Sequence, residues 1–538
     1  MASMLLLMAL VIIACIVFNK FTTRFGMPTL LAFIVLGMIF GSDGLLKIHF
    51  DNYAFAETIC SAALILIMFY GGFGTNWNQA KPVAAPAIVM SSLGVIATSL
   101  LTGVFCYYVL GFPLLEGMLV GALLGSTDAA SVFSILRSKR LNLKYNTASL
   151  LEVESGSNDP FAYMLTVIIM TILQSGSADP VSIVILIAKQ LAFGFLFGAL
   201  IGQAASRFMG RFSFTTSGFD SAFVLAIAVL SYAAPSVLSG NGYLSAYIAG
   251  LILGNNPLPN KRSMVHFIDG ITGLMQMLIF FLLGLLSFPS KLPAVIPTAL
   301  LIFLFLTIVA RPLATWLLLL PFHSPNNQKL LISWSGLRGA ASIVFAIMVS
   351  IAQLPLENDL FHIVFTVVLR SISLQGSLLP IVSKKADMID DEENVMRTFN
   401  DYADDTDINF IRISITASHP WAWMPLSHLA LSSDMLAVMI LRGEETLTPH
   451  GKTVLQPGDV LVLCGTNFED DSHIQLSETT IDDAHPWKDR LIRDIRMNHG
   501  ELIVMIRRNS GTLIPNGNTQ LLAGDILVIN RDDTLRSI

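Results

Sequence analysis

The sequence predicts an α-helical protein with many membrane-spanning helices, followed by a smaller α/β tail. Of its 538 residues, 54% are hydrophobic and only 13% are charged, whereas soluble domains carry about 25% charged residues. Residues 1–385 contain 20 Lys and Arg against 13 Asp and Glu, a net charge of +7, and residues 386–538 contain 12 against 25, a net charge of −13. We therefore expect two regions with different solvents.

Residues 1–385 contain about thirteen apolar segments close to the ~20 residues that a bilayer requires. They are centred near residues 10, 35, 64, 96, 124, 160, 196, 229, 248, 277, 306, 340 and 371. The first has no basic leader and no cleavage site for a signal peptide, so we interpret it as a transmembrane helix. The sequence thus predicts a transmembrane domain over residues 1–385 with about thirteen helices.

Basic residues alternate between the two sides of this domain. The loops on one side carry 14 Lys and Arg residues, and the loops on the other carry only Lys47 and Lys291. The positive-inside rule makes the basic side cytoplasmic. We expect the N-terminus outside and the tail in the cytoplasm, which an odd number of spans requires.

Ionisable residues inside a membrane are costly and usually face a partner, a cavity or a substrate path. The fifth segment carries one of them, Asp128, within the run Gly-Ser-Thr-Asp-Ala-Ala over residues 125–130. Small and polar residues in mid-membrane favour an interrupted helix whose free carbonyls line a cavity. The other ionisable residues within spans are Glu154, Asp159, Lys189, Arg311, Arg338 and Arg370.

The sixth segment carries Glu-Ser-Gly-Ser-Asn-Asp-Pro over residues 154–160. On a helix, Glu154 lies next to Asn158, and Ser155 next to Asp159. Asp159 is about twelve residues from the cytoplasmic end, or ~18 Å, which is near the middle of the bilayer. Hard oxygen ligands at that depth suit a partly dehydrated alkali cation, and a buried carboxylate can hold a proton in its place. Binding one or the other is the chemistry of exchange.

The twelfth segment places Arg338 between two glycines, in Ser-Gly-Leu-Arg-Gly-Ala-Ala-Ser over residues 335–342. A buried guanidinium stays charged and needs an anionic partner, and we expect that partner to be Glu154. The pair then shapes the site without binding ions. We interpret Arg311 and Arg370 as helix anchors whose charged ends reach the membrane surface.

These three motifs, in this order and spacing, resemble the cation/proton antiporters of the CPA1 class, and most of all the bacterial NhaP-type potassium/proton antiporters. The resemblance covers residues 1 to about 385. It implies thirteen helices in two inverted repeats, broken helices that cross at the fifth and twelfth segments, a homodimer in the bacterial inner membrane, and an elevator-like movement. It implies a transporter of K+ or Na+ and H+, with no catalytic residues and no cofactor.

By position, the resemblance makes Asp159 the carboxylate that alternates between proton and cation. It makes Asp128, Ser155 and the carbonyl of Thr127 further ligands of the cation, and it gives Asn158 the role of bracing the crossing helices. The family usually has proline where this chain has Ala129, so the break in the fifth helix must depend on neighbouring small residues. The Asn-Asp pair at residues 158–159 is the one that accompanies electroneutral exchange.

The tail is predicted to begin with an acidic linker at residues 386–407 and to continue as a duplication. A shift of 66 residues aligns many identities without a gap, among them His-Pro-Trp at 419–421 and 485–487 and Gly-Asp at 458–459 and 524–525. Such self-similarity indicates repeated units. Each copy, at 408–467 and 468–538, reads as a short helix, a strand ending in arginine, a turn and a second strand.

Each copy resembles the TrkA-C regulatory module, so we expect the tail to regulate transport. A small anionic effector, with a nucleotide as one candidate, could bind the arginines Arg442, Arg507 and Arg508. The tail lacks a glycine-rich dinucleotide motif. The four cysteines are scattered, so neither disulfides nor a zinc site is indicated.

Three other functions remain open from the sequence. A gated potassium channel needs a carbonyl filter of the Thr-Val-Gly-Tyr-Gly kind, and the chain has none. An intramembrane protease could use Asp128 and Asp159 as a pair but leaves Glu154 and Arg338 unexplained. A cation-coupled symporter shares the broken-helix design, and only the motif resemblance argues against it.

Overall fold

A computed structural model of the protein describes residues 9–18, 29–50, 52–139, 141–176, 179–212, 214, 216, 218–258, 261–390, 408–416, 419–429, 431, 435–443, 445–466, 475–483, 485–495, 497, 501–508, 511–513 and 515–531. The chain divides into two compact units, Met1–Asp405 and Thr406–Ile538. Most of the predicted linker, residues 391–407, lies outside the described residues.

The first unit is helical, and helix occurs in every apolar segment predicted from the sequence. In chain order the helices are α1 (Ala9–Phe18), α2 (Thr29–Phe40), α3 (Tyr53–Gly74), α4 (Lys81–Leu110), α5a (Leu114–Leu123), α5b (Ala129–Ser138), α6 (Thr147–Ser175), α7 (Pro180–Arg211), α8 (Phe219–Ser236), α9 (Gly242–Gly254), α10 (Lys261–Leu286), α11 (Pro289–Leu318), α12a (Asn326–Trp334), α12b (Ala340–Ile351) and α13 (Leu360–Lys385). Among the described residues, seven helices are long and apolar enough to cross a membrane: α3, α4, α7, α8, α10, α11 and α13. The polytopic helical fold is confirmed, and the count of thirteen spans stays a prediction.

Several helices begin where a polar side chain caps the free backbone amides of the first turn. The side chain of Asn52 accepts from Phe55 at the start of α3, and that of Asn241 accepts from Leu244 at the start of α9. Asp179 caps α7 just before its proline. These caps fix the ends of apolar segments whose boundaries hydropathy alone leaves undefined.

The helices of this unit form two groups, each with its own buried cluster. One cluster joins residues of α3, α7, α8, α9 and α10, which we call the straight-helix group. The other joins residues of α4, α5b, α6, α12a and α13 and packs against the end of α11, and we call α4–α6 with α11–α13 the broken-helix group. A third, larger cluster extends through both groups.

The beginning of the predicted linker is packed, which differs from the solvated segment expected from its composition. Leu143 and Ile389 form an antiparallel bridge, the amide of Lys144 donates to the carbonyl of Met388 at 2.9 Å, and Met388 is fully buried. Residues 386–390 thus form a strap along the loop between α5b and α6. Met388 is an apolar residue among acidic neighbours, and burial of its side chain favours packing of the strap against the helices.

The second unit contains two four-stranded antiparallel sheets of identical design. The strands are β1 (Ile408–Ser414), β2 (Met435–Arg442), β3 (Glu445–Leu447) and β4 (Val460–Thr466) in one sheet, and β5 (Gln475–Thr480), β6 (Glu501–Arg508), β7 (Gly511–Leu513) and β8 (Ile526–Arg531) in the other. The strand orders are β1-β4-β2-β3 and β5-β8-β6-β7. Even the irregularities repeat, with register shifts between Ala437 and Met439 and, 66 residues later, between Ile503 and Met505. The duplication read from the sequence therefore extends to the hydrogen-bond register.

Each sheet module differs from the sequence prediction in two respects. The predicted short helix is a single 3₁₀ turn, at Leu426–His428 and again at Ile492–Asp494. Two strands of each sheet were not predicted: the first, β1 or β5, which pairs with the last strand of its module, and the short edge strand, β3 or β7, which pairs with the strand that ends in arginine. The two strands that were predicted in each copy are present.

Candidate ion-binding site

The fifth and twelfth segments are both interrupted, and their interruptions meet. Residues 124–128 separate α5a from α5b, and residues 335–339 separate α12a from α12b. The amide of Asp128 donates to the carbonyl of Leu337 at 2.8 Å, and Nη1 of Arg338 donates to the carbonyl of Ser126 at 2.7 Å. The predicted crossing of two broken helices is confirmed, and the arginine satisfies a carbonyl that the helix break frees.

Glycine is required where the two breaks touch. A Cβ atom built on Gly339 would lie 2.4 Å from the Cβ of Asp128, a distance that side chains do not tolerate. In the other broken helix, α5b begins at Ala129, at the position where the antiporter family that this sequence resembles usually has proline. The break in the fifth helix therefore forms without that proline, through close contact with Gly339 and the hydrogen bonds of the crossing.

Asp159 lies on α6 directly against this crossing. Its side chain is buried, with 7% of the residue exposed, and its Oδ1 accepts a hydrogen bond from the hydroxyl of Ser126. Asn158, on the same turn, donates from Nδ2 to Oγ1 of Thr127 at 2.5 Å, while its own Oδ1 has no partner among the described residues. The sequence-predicted carboxylate and amide are thus in contact with the break in α5.

Ser155 joins the same contact one turn earlier on α6. Its hydroxyl donates to the carbonyl of Thr127 at 2.8 Å and accepts from the amide of Ala129 at 2.9 Å. This places hydroxyl, carbonyl and carboxylate oxygens within a few residues of each other. Oxygen ligands of this kind are those that hard cations prefer.

Asp128 has a structural task in addition to its place in the site. Its Oδ1 accepts from the amide of Ser131 at 3.2 Å, and its Oδ2 accepts from the hydroxyl of Ser131 at 2.5 Å. Asp128 therefore caps α5b, and a carboxylate at this end of a helix is stabilised by the helix dipole.

A cavity of about 430 Å³ connects these groups. It is lined by Ser126, Thr127, Asp128, Ser155 and Asp159 from the broken-helix group. Its other lining residues lie mainly in the C-terminal half of α3, the N-terminal half of α6, and α10. Those helix ends adjoin loops rich in Lys and Arg, so the cavity extends toward the basic side of the membrane. Its oxygen-lined end can hold a small cation or, on a carboxylate, a proton.

The partner predicted for Glu154 is wrong. Glu154 pairs with Arg311, whose Nη2 lies 2.5 Å from its Oε1, and both side chains are at most 3% exposed. Arg338 instead binds the carbonyl of Ser126. The expectation that Arg311 reaches the membrane surface is therefore also wrong. The sequence offered several buried arginines for one glutamate, and only the packing decides between them.

One feature of the sequence permits this pairing without identifying the partner. Gly336 has no side chain, and a Cβ atom there would lie 3.0 Å from Nε of Arg311. The side chain of Arg311 thus passes over the first glycine of the run at 336–339 to reach Glu154. A glycine leaves room for an arginine side chain from an adjacent helix to pass. The sequence alone does not show which arginine this is, because that depends on which helices lie side by side.

Sequence reasoning also missed two acidic residues of the cavity wall, Glu152 on α6 and Asp269 on α10. Asp269 lies within the tenth apolar segment, eight residues after Lys261. An acid at that depth was a sufficient signal by the argument that selected Asp128. Among the residues that the structure describes, no group of three or more His, Cys, Asp and Glu side chains could hold a resident metal ion.

The arginines proposed for a tail effector are mostly engaged within their own modules. Nε and Nη2 of Arg442 bind the two carboxylate oxygens of Asp459, each at 2.8 Å. Arg508 binds Asp525 with the same two distances. These hydrogen bonds hold the pKa of each aspartate below its usual value. Arg442 and Arg508 are thus each paired with an aspartate of their own module, so an anion would have to compete with that carboxylate, while Arg507 lies exposed on β6. Anion binding by these arginines stays a prediction.

Comparison with known proteins agrees with this arrangement. The family model described as sodium/hydrogen exchanger, transmembrane, matches residues 7–385, and the TrkA-C domain matches residues 410–467 and 476–535. A K(+)/H(+) antiporter NhaP of Alkalimonas amylolytica is 38% identical over 381 residues, which is 70% of this chain and 66% of that protein. A K(+)/H(+) antiporter NhaP2 of Shewanella oneidensis is 34% identical over 469 residues, 86% of this chain and 81% of that protein.

A solved structure shares the fold. The sodium proton antiporter MjNhaP1 from Methanocaldococcus jannaschii, at pH 8, superposes with a TM-score of 0.62 and 23% identity, covering 69% of this chain and 97% of that one. At this identity the likeness concerns the fold alone. It extends over nearly all of the archaeal protein and most of the helical unit described above.

Proposed function

The chain belongs to the sodium/hydrogen exchanger family of monovalent cation/proton antiporters, and we propose that it exchanges one K+ or Na+ for one H+ at Asp159. It is a transporter and not an enzyme. The observation that carries the proposal is the position of Asp159, buried at the cavity wall against the crossing of α5 and α12. The names of the relatives favour K+.

The exchange follows from what one buried carboxylate can hold. With a cation bound, Asp159 is ionised and is assisted by the oxygens of Ser155 and Thr127, with Asp128 nearby. When the cation leaves, the isolated charge is costly in a buried site, so the carboxylate takes a proton. Because Glu154 is paired with Arg311, it does not exchange its own proton. One positive charge then moves inward for each one that moves outward.

The two helix groups supply a route for the movement. We propose that the broken-helix group carries Asp159 from one side to the other along the straight-helix group, as an elevator. Gly156 of α6 supports a sliding contact, because a Cβ atom there would lie 2.7 Å from the ring of Tyr247 on α9. A homodimer in the inner membrane, with its fixed contacts on the straight-helix group, completes this proposal.

The tail is proposed to regulate transport. The duplicated modules are intact folds whose Arg–Asp pairs are partly exposed, so an anionic effector, with a nucleotide as one candidate, would compete with the aspartates for Arg442 and Arg508 or bind at the exposed Arg507. Truncation after residue 390 keeps the strap and removes both modules. We expect the truncated protein to exchange ions with an altered dependence on pH or cation, whereas a folded truncation without any transport would make the tail part of the transport machinery.

The experiment for the central proposal uses sealed proteoliposomes that contain only this protein. Added K+ or Na+ should drive proton movement in the wild type, and Asp159→Asn should abolish it in a protein that still folds. Flux should vanish at equal cation and proton gradient ratios, whatever membrane potential is imposed. A null point that shifts with voltage would require a second proton, on Asp128, since ~100 mV biases one net charge by ~2.3 kcal/mol. Flux that survives in Asp159→Asn would contradict the assignment.

A further inference from the structure

The cavity has a second polar wall that the exchange at Asp159 does not use. Asp269, Thr272 and Gln276 line it from α10, and their spacing of three and four residues places them on one face of that helix. Tyr70 of α3 also lines the cavity and donates its hydroxyl to Oδ1 of Asp269 at 2.7 Å. This wall belongs to the straight-helix group, opposite the site.

The hydroxyl of Thr272 is the observation that points to a ligand. The residue is 5% exposed, and its Oγ1 has no hydrogen-bond partner among the described residues. Other buried threonines of this unit, such as Thr166 of α6 and Thr366 of α13, each donate to the carbonyl four residues earlier. Buried polar groups are almost always satisfied, and an exception commonly marks an ion or water. Thr272 lines the cavity, so the cavity is the space from which a partner for this hydroxyl can come.

The charges around this wall select the kind of ligand. Asp269 faces a cavity that also receives Glu152 from α6, seven residues before Asp159, or ~10 Å nearer the basic end of the helix. Two carboxylates at a low-dielectric opening attract cations and raise their local concentration. The remaining oxygens, from Thr272 and Gln276, are neutral and suit a monovalent ion that keeps part of its water.

We propose that Asp269, Thr272 and Gln276, with Tyr70 holding Asp269 in place, form a second cation site on the fixed wall of the cavity. It takes a partly hydrated K+ or Na+ from solution on the basic side, before the ion reaches Asp159. The proposal rests on the proposed antiport function and deepens it. It makes apparent cation affinity a property of two sites on different helix groups.

The first test measures the cation dependence of exchange with the cation supplied on the side of the tail. Asp269→Asn is expected to raise KM about tenfold and to leave the maximal rate unchanged. Thr272→Val should raise KM less, and Thr272→Ser, which keeps the hydroxyl, should match the wild type. Asp387→Asn, which removes an exposed acid of the strap, is the matched control and should leave KM and the maximal rate unchanged. An unchanged KM in Asp269→Asn, or equal defects in Thr272→Ser and Thr272→Val, would overturn the proposal.

The second test separates this site from the antiport mechanism. Purified Asp159→Asn protein is expected to retain binding of radioactive Rb+, and the double variant Asp159→Asn with Asp269→Asn is expected to lose it. Absence of Rb+ binding in the single variant would overturn an independent site. If instead the wild type showed no cation-driven proton flux, the proposed function would fail, while Rb+ binding that depends on Asp269 would still support the site.

Discussion

The protein contains arginine–carboxylate pairs in two different environments, the buried interior of the helical unit and the partly exposed surface of the tail. In the helical unit, Glu154 and Arg311 make a single contact, and Oε2 of Glu154 and Nε of Arg311 have no partner among the described residues. In the tail, Arg508 makes two hydrogen bonds to Asp525, and the side chain of Arg508 stays one-third exposed. The buried pair is therefore less complete and less hydrated than the tail pair. The difference teaches that the cost of breaking a pair depends on what remains buried afterwards, and not on how many bonds the pair makes.

The largest effect is expected for Glu154→Gln, which leaves the charge of Arg311 buried without a counter-charge. Loss of one partner of a buried pair costs about 3 to 5 kcal/mol of unfolding free energy. Thermal unfolding in detergent should show a large drop in melting temperature. The double variant Glu154→Gln with Arg311→Met should recover most of it, because removing both charges is often nearly neutral.

The matched control for that pair is Arg338. A double-mutant cycle between Glu154 and Arg311 should give a large coupling energy, and the cycle between Glu154 and Arg338 a smaller one. A larger coupling energy between Glu154 and Arg338 would show that Arg338 is the partner of Glu154, as expected from the sequence. Cation preference can be measured in the same set of variants. An unchanged preference would show that the Glu154–Arg311 pair stabilises the site without binding the ion.

A smaller effect is expected in the tail. Asp459→Asn and Asp525→Asn each break a bidentate pair whose arginine can turn to water, so we expect a loss of about 1 to 3 kcal/mol within the affected module. Hydrogen exchange in the full-length protein should show faster exchange of β4 amides in the first variant and of β8 amides in the second. Asp483→Asn, at an exposed pair with Lys488, is the control. A change that spreads to the other sheet would show that the modules do not unfold independently.

The same pairs predict how the tail responds to acid. The arginines hold the pKa values of Asp459 and Asp525 below those of the unfolded chain, so their contribution is complete above about pH 4 and is lost as the pH falls further. Amide exchange of β4 and β8, corrected for its intrinsic pH dependence, should report this loss. In Asp525→Asn the dependence should become flatter for β8 only, and an unchanged slope would show that the pair contributes little to stability.

The smallest effect is expected for the exposed pair at the strap. Nζ of Lys144 lies 3.0 Å from Oδ1 of Asp387, and the Asp387 side chain is 82% exposed. Exposed pairs contribute little, because water screens them and the side chains lose freedom. Lys144→Met should leave the melting temperature unchanged, whereas Met388→Ala removes a fully buried side chain of the strap and should lower it. Equal decreases in melting temperature from the two variants would show that the Lys144–Asp387 ion pair stabilises the strap as much as the burial of Met388 does.

The fold and much of the site could be predicted from the sequence because their signals are local. Hydropathy marks the helices, small residues mark the breaks at residues 124–128 and 335–339, and the order of the motifs brings Asp128 and Asp159 together. The partner of Glu154 could not be predicted, because it depends on how α11 lies beside the broken α12. Asp269 could have been found from its depth in an apolar segment, whereas the position of Thr272 on the cavity wall depends on how α10 packs against the other helices.

The strap has a consequence for the mechanics of the protein. Residues 386–390 are hydrogen-bonded to the loop between α5b and α6. Asp128 directly precedes α5b, and Asp159 lies on α6. The segment that leads into the tail is thus attached to the broken-helix group, which is the group that moves in the proposed elevator. In the proposed elevator, each transport step therefore moves the attachment point of the tail together with the ion. A force or a restraint on the tail would then act directly on the transport movement.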